Sequence, residues 1–357
     1  MKPKIKKLPN GLQLLFVPMK EQRTTTVLVL VETGSKYETK ETNGLAHFLE
    51  HMCFKGTTRR PNSQIISNEL DSLGAEYNAF TGQEYTGYYT KVAAKQFPKA
   101  LDLVADVYCN PLLEEEEIER EKGVIADEIN MYEDVPMRKV GDIFTDVLYG
   151  DQPAGWSILG KKEVIRTFTR KDFLDYRKAH YVPEATTIVV SGNFDEKKAE
   201  QLIRQKFNDF IAGKKKGKKK VNEKQDAPQL GLQYKESDQT HLILGFRSFP
   251  VKHKYNATLT VMGAILGGGM SSRLFQKIRN ELGLGYYVHA SNDASTDHGV
   301  FAASAGVDNS RIDEVIPALL KEFTRLREEL VSDEELQKVK DMIAGRLVLG
   351  LESSDEM

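Results

Sequence analysis

The two halves of this 357-residue chain resemble each other, and this internal repeat limits the fold more than any other feature of the sequence. Residues 68–70 (NEL) in the first half match residues 280–282 in the second. Residues 115–129 (EEEIEREKGVIADEI) match residues 333–347 (DEELQKVKDMIAGRL) in the same order. A duplication with small insertions produces such ordered matches. We therefore expect two homologous domains.

A lysine-rich segment separates the two halves. Residues 212–229 (AGKKKGKKKVNEKQDAPQ) hold no aromatic residue and one large aliphatic residue, Val221. We expect this segment to stay out of any core and interpret it as a solvated linker, with a tether to an anionic surface or to nucleic acid as the alternative. The predicted domains span residues 1–211 and 230–357. By comparison with the first copy, the second is expected to lack roughly 73 residues that include a last strand and helix.

Composition excludes several classes of protein. The 50 basic and 52 acidic residues leave a net charge of −2, which gives no sign of a nucleic-acid or membrane-surface partner. The two cysteines, Cys53 and Cys109, are too few for a disulfide framework and favour a reducing cytoplasm. We find no secretion-signal core near the N-terminus and no run of about 20 apolar residues that would span a membrane.

Strand-like and helical patterns are mixed in both halves. The strand-like runs cover residues 25–31, 86–92, 241–246 and 299–307, and helical patterns in the second half cover residues 312–330 and 333–349. Strands and helices do not alternate regularly, which favours a mostly antiparallel sheet with helices packed on one face. The predicted fold class is α+β.

One predicted helix carries a metal-binding pattern. It lies between Asn43 and Gly56, and its apolar residues share one face: Leu45, Phe48, Leu49 and Met52. His47, Glu50 and His51 lie on the opposite face. Two imidazoles one turn apart can bind a single zinc ion, and a carboxylate between them can reach the water that the metal activates.

A catalytic zinc site needs a third protein ligand, which should be His, Asp or Glu. In the predicted helix over residues 114–131, Glu121 and Glu128 lie two turns apart within an apolar stripe formed by Ile118, Val124, Ile125 and Ile129. Buried carboxylates are costly unless they are paired or bind a metal. The other glutamates of this helix lie off the stripe or in its first turn. In the second half the matching positions are Val339 and Arg346, so that copy lacks these ligands.

The inverted His-x-x-Glu-His pattern and several ordered blocks resemble the pitrilysin-type (M16) metallopeptidases, which include insulysin and the mitochondrial processing peptidase. The blocks are residues 78–89, 155–181 and 267–286, and the resemblance covers essentially the whole chain. It implies two tandem domains of the LuxS/MPP-like metallohydrolase fold and one zinc ion per chain. The implied zinc ligands are His47, His51 and Glu128, with Glu121 as a supporting residue.

The resemblance also implies roles for other residues. Glu50 would be the general base. Arg279 and Tyr286, from the metal-free copy, would contact the substrate and stabilise the tetrahedral intermediate. An edge strand over residues 77–89 would bind an extended peptide and carries the remaining candidates: Asn78, Ala79 and Glu84.

The function implied is that of a zinc-dependent endopeptidase acting on unfolded peptides or presequence-like segments. The chain is most similar to the two-domain, processing-peptidase-like (M16B) subfamily, which implies a homodimer. With the low cysteine count, the predicted location is the cytoplasm of a bacterium. Two alternatives are a non-catalytic scaffold subunit and a peptidase that needs a second partner chain.

Overall fold

A computed structural model of the chain describes residues 2–208, 210 and 213–356, so the predicted boundary between residues 211 and 212 lies outside the described residues. The chain forms two compact units. Unit 1 comprises Met1–Ile129, Trp156–Lys219 and Gly350–Met357, and unit 2 comprises Asn130–Gly155 and Lys220–Leu349. No described helix combines the length and apolar character that crossing a bilayer requires.

The described residues form strands and helices in a mixed order. The strands are β1 (Lys4–Lys7), β2 (Gln13–Pro18), β3 (Thr24–Val31), β4 (Glu76–Thr81), β5 (Thr86–Ala93), β6 (Thr186–Gly192), β7 (Gln239–Ser248), β8 (Gly285–Ala294) and β9 (Gly299–Asp308). The α-helices are α1 (Leu45–Cys53), α2 (Ser63–Ser72), α3 (Phe97–Cys109), α4 (Glu115–Asp134), α5 (Pro136–Tyr149), α6 (Lys162–Ile165), α7 (Arg170–His180), α8 (Glu196–Lys206), α9 (Asn256–Gly267), α10 (Ile312–Glu328) and α11 (Asp333–Gly350). A π-helical segment spans Phe275–Glu281.

Unit 1 is built on a six-stranded sheet with the order β1-β2-β6-β3-β5-β4. Only the β2–β6 pair is parallel. In β3 the β-branched residues Val27, Val29 and Val31 alternate along the strand and are fully buried. Helix α3 packs against β3 and β5. The sheet ends at β4, which has one free edge among the described strands.

Unit 2 repeats part of this architecture. Its antiparallel sheet has the order β7-β9-β8, which corresponds to β3-β5-β4 of unit 1. In both units the first strand of this set is followed by a helical region, a two-stranded hairpin and two further helices. Apolar side chains of the sheet, including Phe301, pack with Leu266 of α9 and Leu319 of α10. The fold class and the two repeated domains agree with the expectation from the sequence.

Each unit also contains a segment from the opposite half of the chain. Residues 130–155 belong to unit 2, where Leu148, Tyr149 and Ala154 form a core cluster against which Val300 of β9 packs. Val221 packs against the same cluster, so the expectation that the lysine-rich segment contributes to no core is wrong at this residue. Residues 350–357 belong to unit 1, where the Ser354 hydroxyl lies 2.8 Å from that of Thr26.

Candidate metal centre

Helix α1 is held deep in unit 1. Its apolar residues are at most 1% exposed: Leu45, Phe48, Leu49 and Met52. The residue that precedes the helix is Gly44, whose φ of 96° favours glycine and whose hydrogen atoms leave room for the Leu159 carbonyl. Glycine offers no side chain to cap the helix. Unit 1 therefore has to satisfy the first amides of α1 from outside the helix.

The carboxylate of Glu38 fulfils this role. It accepts hydrogen bonds from the amides of Gly44 (2.9 Å) and Ala46 (2.7 Å) and from the side chain of Asn43 (3.1 Å). Glu38 is 3% exposed. Its burial raises the pKa of the carboxyl to about 7, although the three donors favour the ionised form.

The three predicted zinc ligands come together. Nε2 of His47 and Nε2 of His51 each lie 3.6 Å from Oε2 of Glu128, which projects from α4. The ligand atoms of the three residues lie within 4.8 Å of one another, and no other His, Cys, Asp or Glu group in the described ranges meets this condition. Of the two glutamates singled out on α4, Glu128 faces both histidines.

Glu121 contacts His51 of this group. Its Oε1 lies 2.9 Å from Nδ1 of His51, and its other oxygen pairs with Lys55. Because an ionised carboxylate only accepts hydrogen bonds, Nδ1 carries the proton and Nε2 of the neutral ring is left as a ligand. Burial raises the pKa of the Glu121 carboxyl, but the donors His51 and Lys55 outweigh this effect and hold the pKa below its usual value. Burial also opposes protonation of His51, yet Glu121 raises the pKa of its imidazole.

These residues fit a zinc ion. Burial, together with the neighbouring His51, lowers the pKa of His47 to about 3, so its imidazole is neutral at physiological pH. Nδ1 of His47 is buried and has no hydrogen-bond partner among the described residues. The 3.6 Å separations exceed a hydrogen bond but are close to the spacing of about 3.3–3.6 Å between the ligand atoms of a tetrahedral zinc site. Two imidazoles and one carboxylate also leave a position for a further ligand.

Glu50 lies beside this group, in the wall of a cavity of about 270 Å³. The residues that line the cavity are Glu50, His51, Phe54, Lys55, Tyr77, Asn78, Ala79 and Glu121. Burial raises the pKa of the Glu50 carboxyl, and a hydrogen bond from Thr81 partly offsets this effect. The cavity is therefore lined by a candidate base, a candidate metal-ligating histidine and the edge strand β4.

The predicted peptide-binding strand differs from the observed one. The expected single strand over residues 77–89 is a hairpin, because the chain turns at residues 82–85 between β4 and β5. Asn78 and Ala79 lie on β4 and line the cavity. Glu84 lies in the turn, away from the cavity lining, and pairs with Lys36 at 2.8 Å and with Lys218 at 3.1 Å. Lys218 thus fixes part of the lysine-rich segment to unit 1.

Arg279 and Tyr286 lie in unit 2. The guanidinium of Arg279 stacks over the ring of Phe275, 5.0 Å from its centroid, within the π-helical segment. Tyr286 is 62% exposed and interrupts the pairing of β8 with β9, which shifts register between Gly285 and Tyr287. Such a bulge redirects a side chain out of the ladder. Both residues belong to unit 2, whereas the candidate zinc-ligand group (His47, His51 and Glu128) belongs to unit 1.

Three residues of the site were missed by sequence reasoning: Glu38, Lys55 and Thr81. Partly buried residues alternate along β4, so Thr81 lies on the same face as Tyr77 and Ala79. The two-residue periodicity of a strand could therefore have predicted that Thr81 faces the site. No local pattern marks Glu38 as the partner of α1. One position on the stripe of α4 also differs from the prediction, because Val124 is 49% exposed.

The fold and the ligand group define a repeated α+β protein whose first unit holds a candidate metal centre. Residues 16–162 match the family model described as Insulinase (Peptidase family M16), and residues 167–343 match that described as Peptidase M16 inactive domain. The chain is 34% identical over 347 residues to "Uncharacterized zinc protease YmxG" of Bacillus subtilis, covering 97% of this chain and 84% of that protein. The chain belongs to peptidase family M16, as its sequence motifs indicated.

Other similar proteins agree with this assignment. An "Uncharacterized zinc protease" of Rickettsia felis is 36% identical over 354 residues, which cover 98% of this chain and 84% of that protein. The crystal structure of a protease from Helicobacter pylori superposes with a TM-score of 0.92 at 26% identity and covers 99% of this chain and 87% of that chain. A peptidase M16 inactive domain from Pseudomonas fluorescens has the same fold, with a TM-score of 0.88 at 18% identity over 97% of this chain and 84% of that one.

Proposed function

We propose that this chain is a zinc-dependent endopeptidase that hydrolyses unfolded peptides or presequence-like segments. The proposal rests on the convergence of His47, His51 and Glu128 while Glu50 lies between this group and an edge strand. Relatives in several bacteria carry the name zinc protease, which supports the same activity and zinc as the metal. The single candidate ligand group among the described residues supports one zinc ion per chain.

In the proposed mechanism, His47, His51 and Glu128 hold the metal. A zinc ion held there would lower the pKa of a water molecule and polarise the carbonyl group of the peptide bond. The Glu50 carboxylate accepts a proton from the attacking water and passes it to the nitrogen of the leaving amine. Glu121 and Lys55 keep the His51 ring oriented throughout.

The free edge of β4 supports an extended peptide as the substrate. A peptide can add to this edge through backbone hydrogen bonds, which read conformation more than side chains. Asn78 and Ala79 would lie under the peptide because they line the cavity that Glu50 and His51 also line. An unfolded segment can adopt the extended conformation that this mode of binding requires.

Arg279 and Tyr286 are proposed to contact the substrate and the developing oxyanion. This assignment rests on the family resemblance. The exposure of Tyr286 at a bulge supports its availability for such a contact. Removing one such donor typically lowers the rate by about 10²–10³. The homodimer and the cytoplasmic location remain predictions from the sequence.

One observation favours a second candidate, a non-catalytic scaffold subunit: residues 167–343 match an inactive-domain model. The zinc-ligand group, however, lies in residues 16–162, which match the other family model. The peptidase is therefore the better supported candidate for the chain as a whole.

The proposal is tested by replacing the base. We expect Glu50→Gln to lower the cleavage of an unfolded peptide library by at least about 10²-fold, because general acid–base catalysis contributes about 10²–10⁴ to the rate. Cleavage is followed by mass spectrometry with and without a chelator, and zinc is measured in each preparation. The exposed Glu163 provides a matched control, Glu163→Gln.

Undiminished cleavage by a zinc-loaded Glu50→Gln variant would refute the role of Glu50. Wild-type protein that binds far less than one zinc ion per chain and cleaves nothing would instead favour the scaffold.

A further inference from the structure

Thr81, the last residue of β4, makes a direct contact with the candidate base. Its hydroxyl Oγ1 donates a hydrogen bond of 2.5 Å to Oε2 of Glu50. Among the described residues, Thr81 is the only hydrogen-bond donor to this carboxylate. The other oxygen, Oε1, accepts no hydrogen bond from these residues. One oxygen of Glu50 is therefore fixed and the other remains available.

The position of Thr81 follows from the alternation of side chains along β4. Tyr77, Ala79 and Thr81 are the partly buried residues of the strand, and Asn78 and Phe80 are exposed. Helix α1 packs beside β4. Tyr77 and Ala79 line the cavity, and Thr81, two residues further along, reaches Glu50. A change of register by one residue would turn the hydroxyl away from the base.

We propose that Thr81 is a positioning residue for Glu50: its hydroxyl holds Oε2 so that Oε1 faces the attacking water. This role rests on the proposed peptidase function. It also links two parts of the site, because the strand that offers its edge to a peptide is the strand that orients the base. A base held by one neutral donor keeps a defined direction without losing both oxygens to structural contacts.

The test compares two substitutions at Thr81 with a control across the hairpin. Thr81→Val keeps the shape of the side chain and removes the donor, whereas Thr81→Ser restores a hydroxyl. The control is Thr86→Val. Thr86 lies opposite Thr81 in the β4–β5 register, but its hydroxyl donates to the carbonyl of Thr33 at 3.0 Å. Steady-state rates on a quenched fluorescent unfolded peptide give kcat and KM, and elemental analysis gives zinc per chain.

We expect Thr81→Val to lower kcat about tenfold, as the loss of one hydrogen bond to a charged group predicts, with KM within about twofold of wild type. The zinc content should not change. Thr81→Ser should restore kcat to within about threefold of wild type. The control variant Thr86→Val should also have a kcat within about threefold of wild type.

Wild-type kcat in Thr81→Val would overturn the role of Thr81, as would an unrescued Thr81→Ser variant or an equal loss in Thr86→Val. A fall in zinc content in Thr81→Val would also overturn it, because the residue would then act on the metal ligands. Zinc-loaded wild-type protein without any peptidase activity would refute the proposed function itself. An active wild type with an unaffected Thr81→Val variant refutes only the positioning role.

Discussion

Replacing Glu38 by Gln should change how the stability of unit 1 depends on pH. The carboxyl has an ordinary pKa of 4.5 in the unfolded chain and a pKa of about 7 in the folded protein, because burial disfavours the charged form. Between these values the unfolded chain has lost the proton that the folded protein retains. Stability from this group is therefore fully present below pH 4.5 and is lost as pH rises through 7.

The magnitude follows from linkage. The whole pKa shift of Glu38 corresponds to about 3 kcal/mol in the free energy of unfolding. About 2 kcal/mol of this contribution is lost between pH 5.5 and 7.5. Glutamine does not titrate, so the wild type should lose about 2 kcal/mol relative to Glu38→Gln over this range. Tyr176 of α7 also faces Glu38, but burial raises its pKa well above the ordinary value and it stays neutral.

The assay is urea unfolding of chelator-treated protein at several pH values. The chain has one tryptophan, Trp156, which lies in unit 1 with Glu38 and reports the unfolding of that unit. The exposed Glu21 gives the control variant Glu21→Gln, whose stability difference from wild type should stay constant. A constant difference for Glu38→Gln would show that burial does not shift its pKa. A wild type that gains stability as pH rises would show that the hydrogen bonds to Glu38 outweigh burial.

Two further predictions concern the metal and the core of unit 1. Glu121→Gln should weaken zinc binding about 10–100-fold in a chelator competition, because the carboxylate orients His51; Glu119→Gln, at an exposed position on the same helix, should not. Equal affinities in these two variants would exclude a supporting role for Glu121. Phe48→Ala should lower the free energy of unfolding by about 3–5 kcal/mol, measured by Trp156 fluorescence, since Phe48 is fully buried. A loss below about 1 kcal/mol would mean that the residues around α1 can collapse into the space.

The candidate zinc ligands could be singled out in the sequence because helical spacing is a local property. His47 and His51 lie one turn apart on α1, and the two carboxylates on the stripe of α4 limited the third ligand to a few positions. The choice of Glu128 over Glu121 depended on the family resemblance, since both lie on the same face of the helix. Only the packing of α4 against α1 places Glu128 near Nε2 of both histidines.

Other features of the fold and the site could not be predicted from local sequence patterns. Glu38 caps α1 from a preceding loop, and such a contact has no periodicity. The turn at residues 82–85 interrupts a run of residues that reads as one strand. Val221 packs against a core cluster although three lysines precede it, because Leu148, Tyr149 and Ala154 lie beside it. For Glu38 and Val221, burial was decided by partners distant in sequence.

The exchange of segments between the two units has a consequence for the intact molecule. The chain passes from one unit to the other at residues 129–130, 155–156, 219–220 and 349–350. A protease that cut only within residues 213–220 would therefore not release two independent halves. Helix α5 belongs to the N-terminal fragment but is part of unit 2. Residues 350–357 belong to the C-terminal fragment but are part of unit 1. The nicked protein would remain a non-covalent complex, and neither half expressed alone would contain all the parts of its own unit.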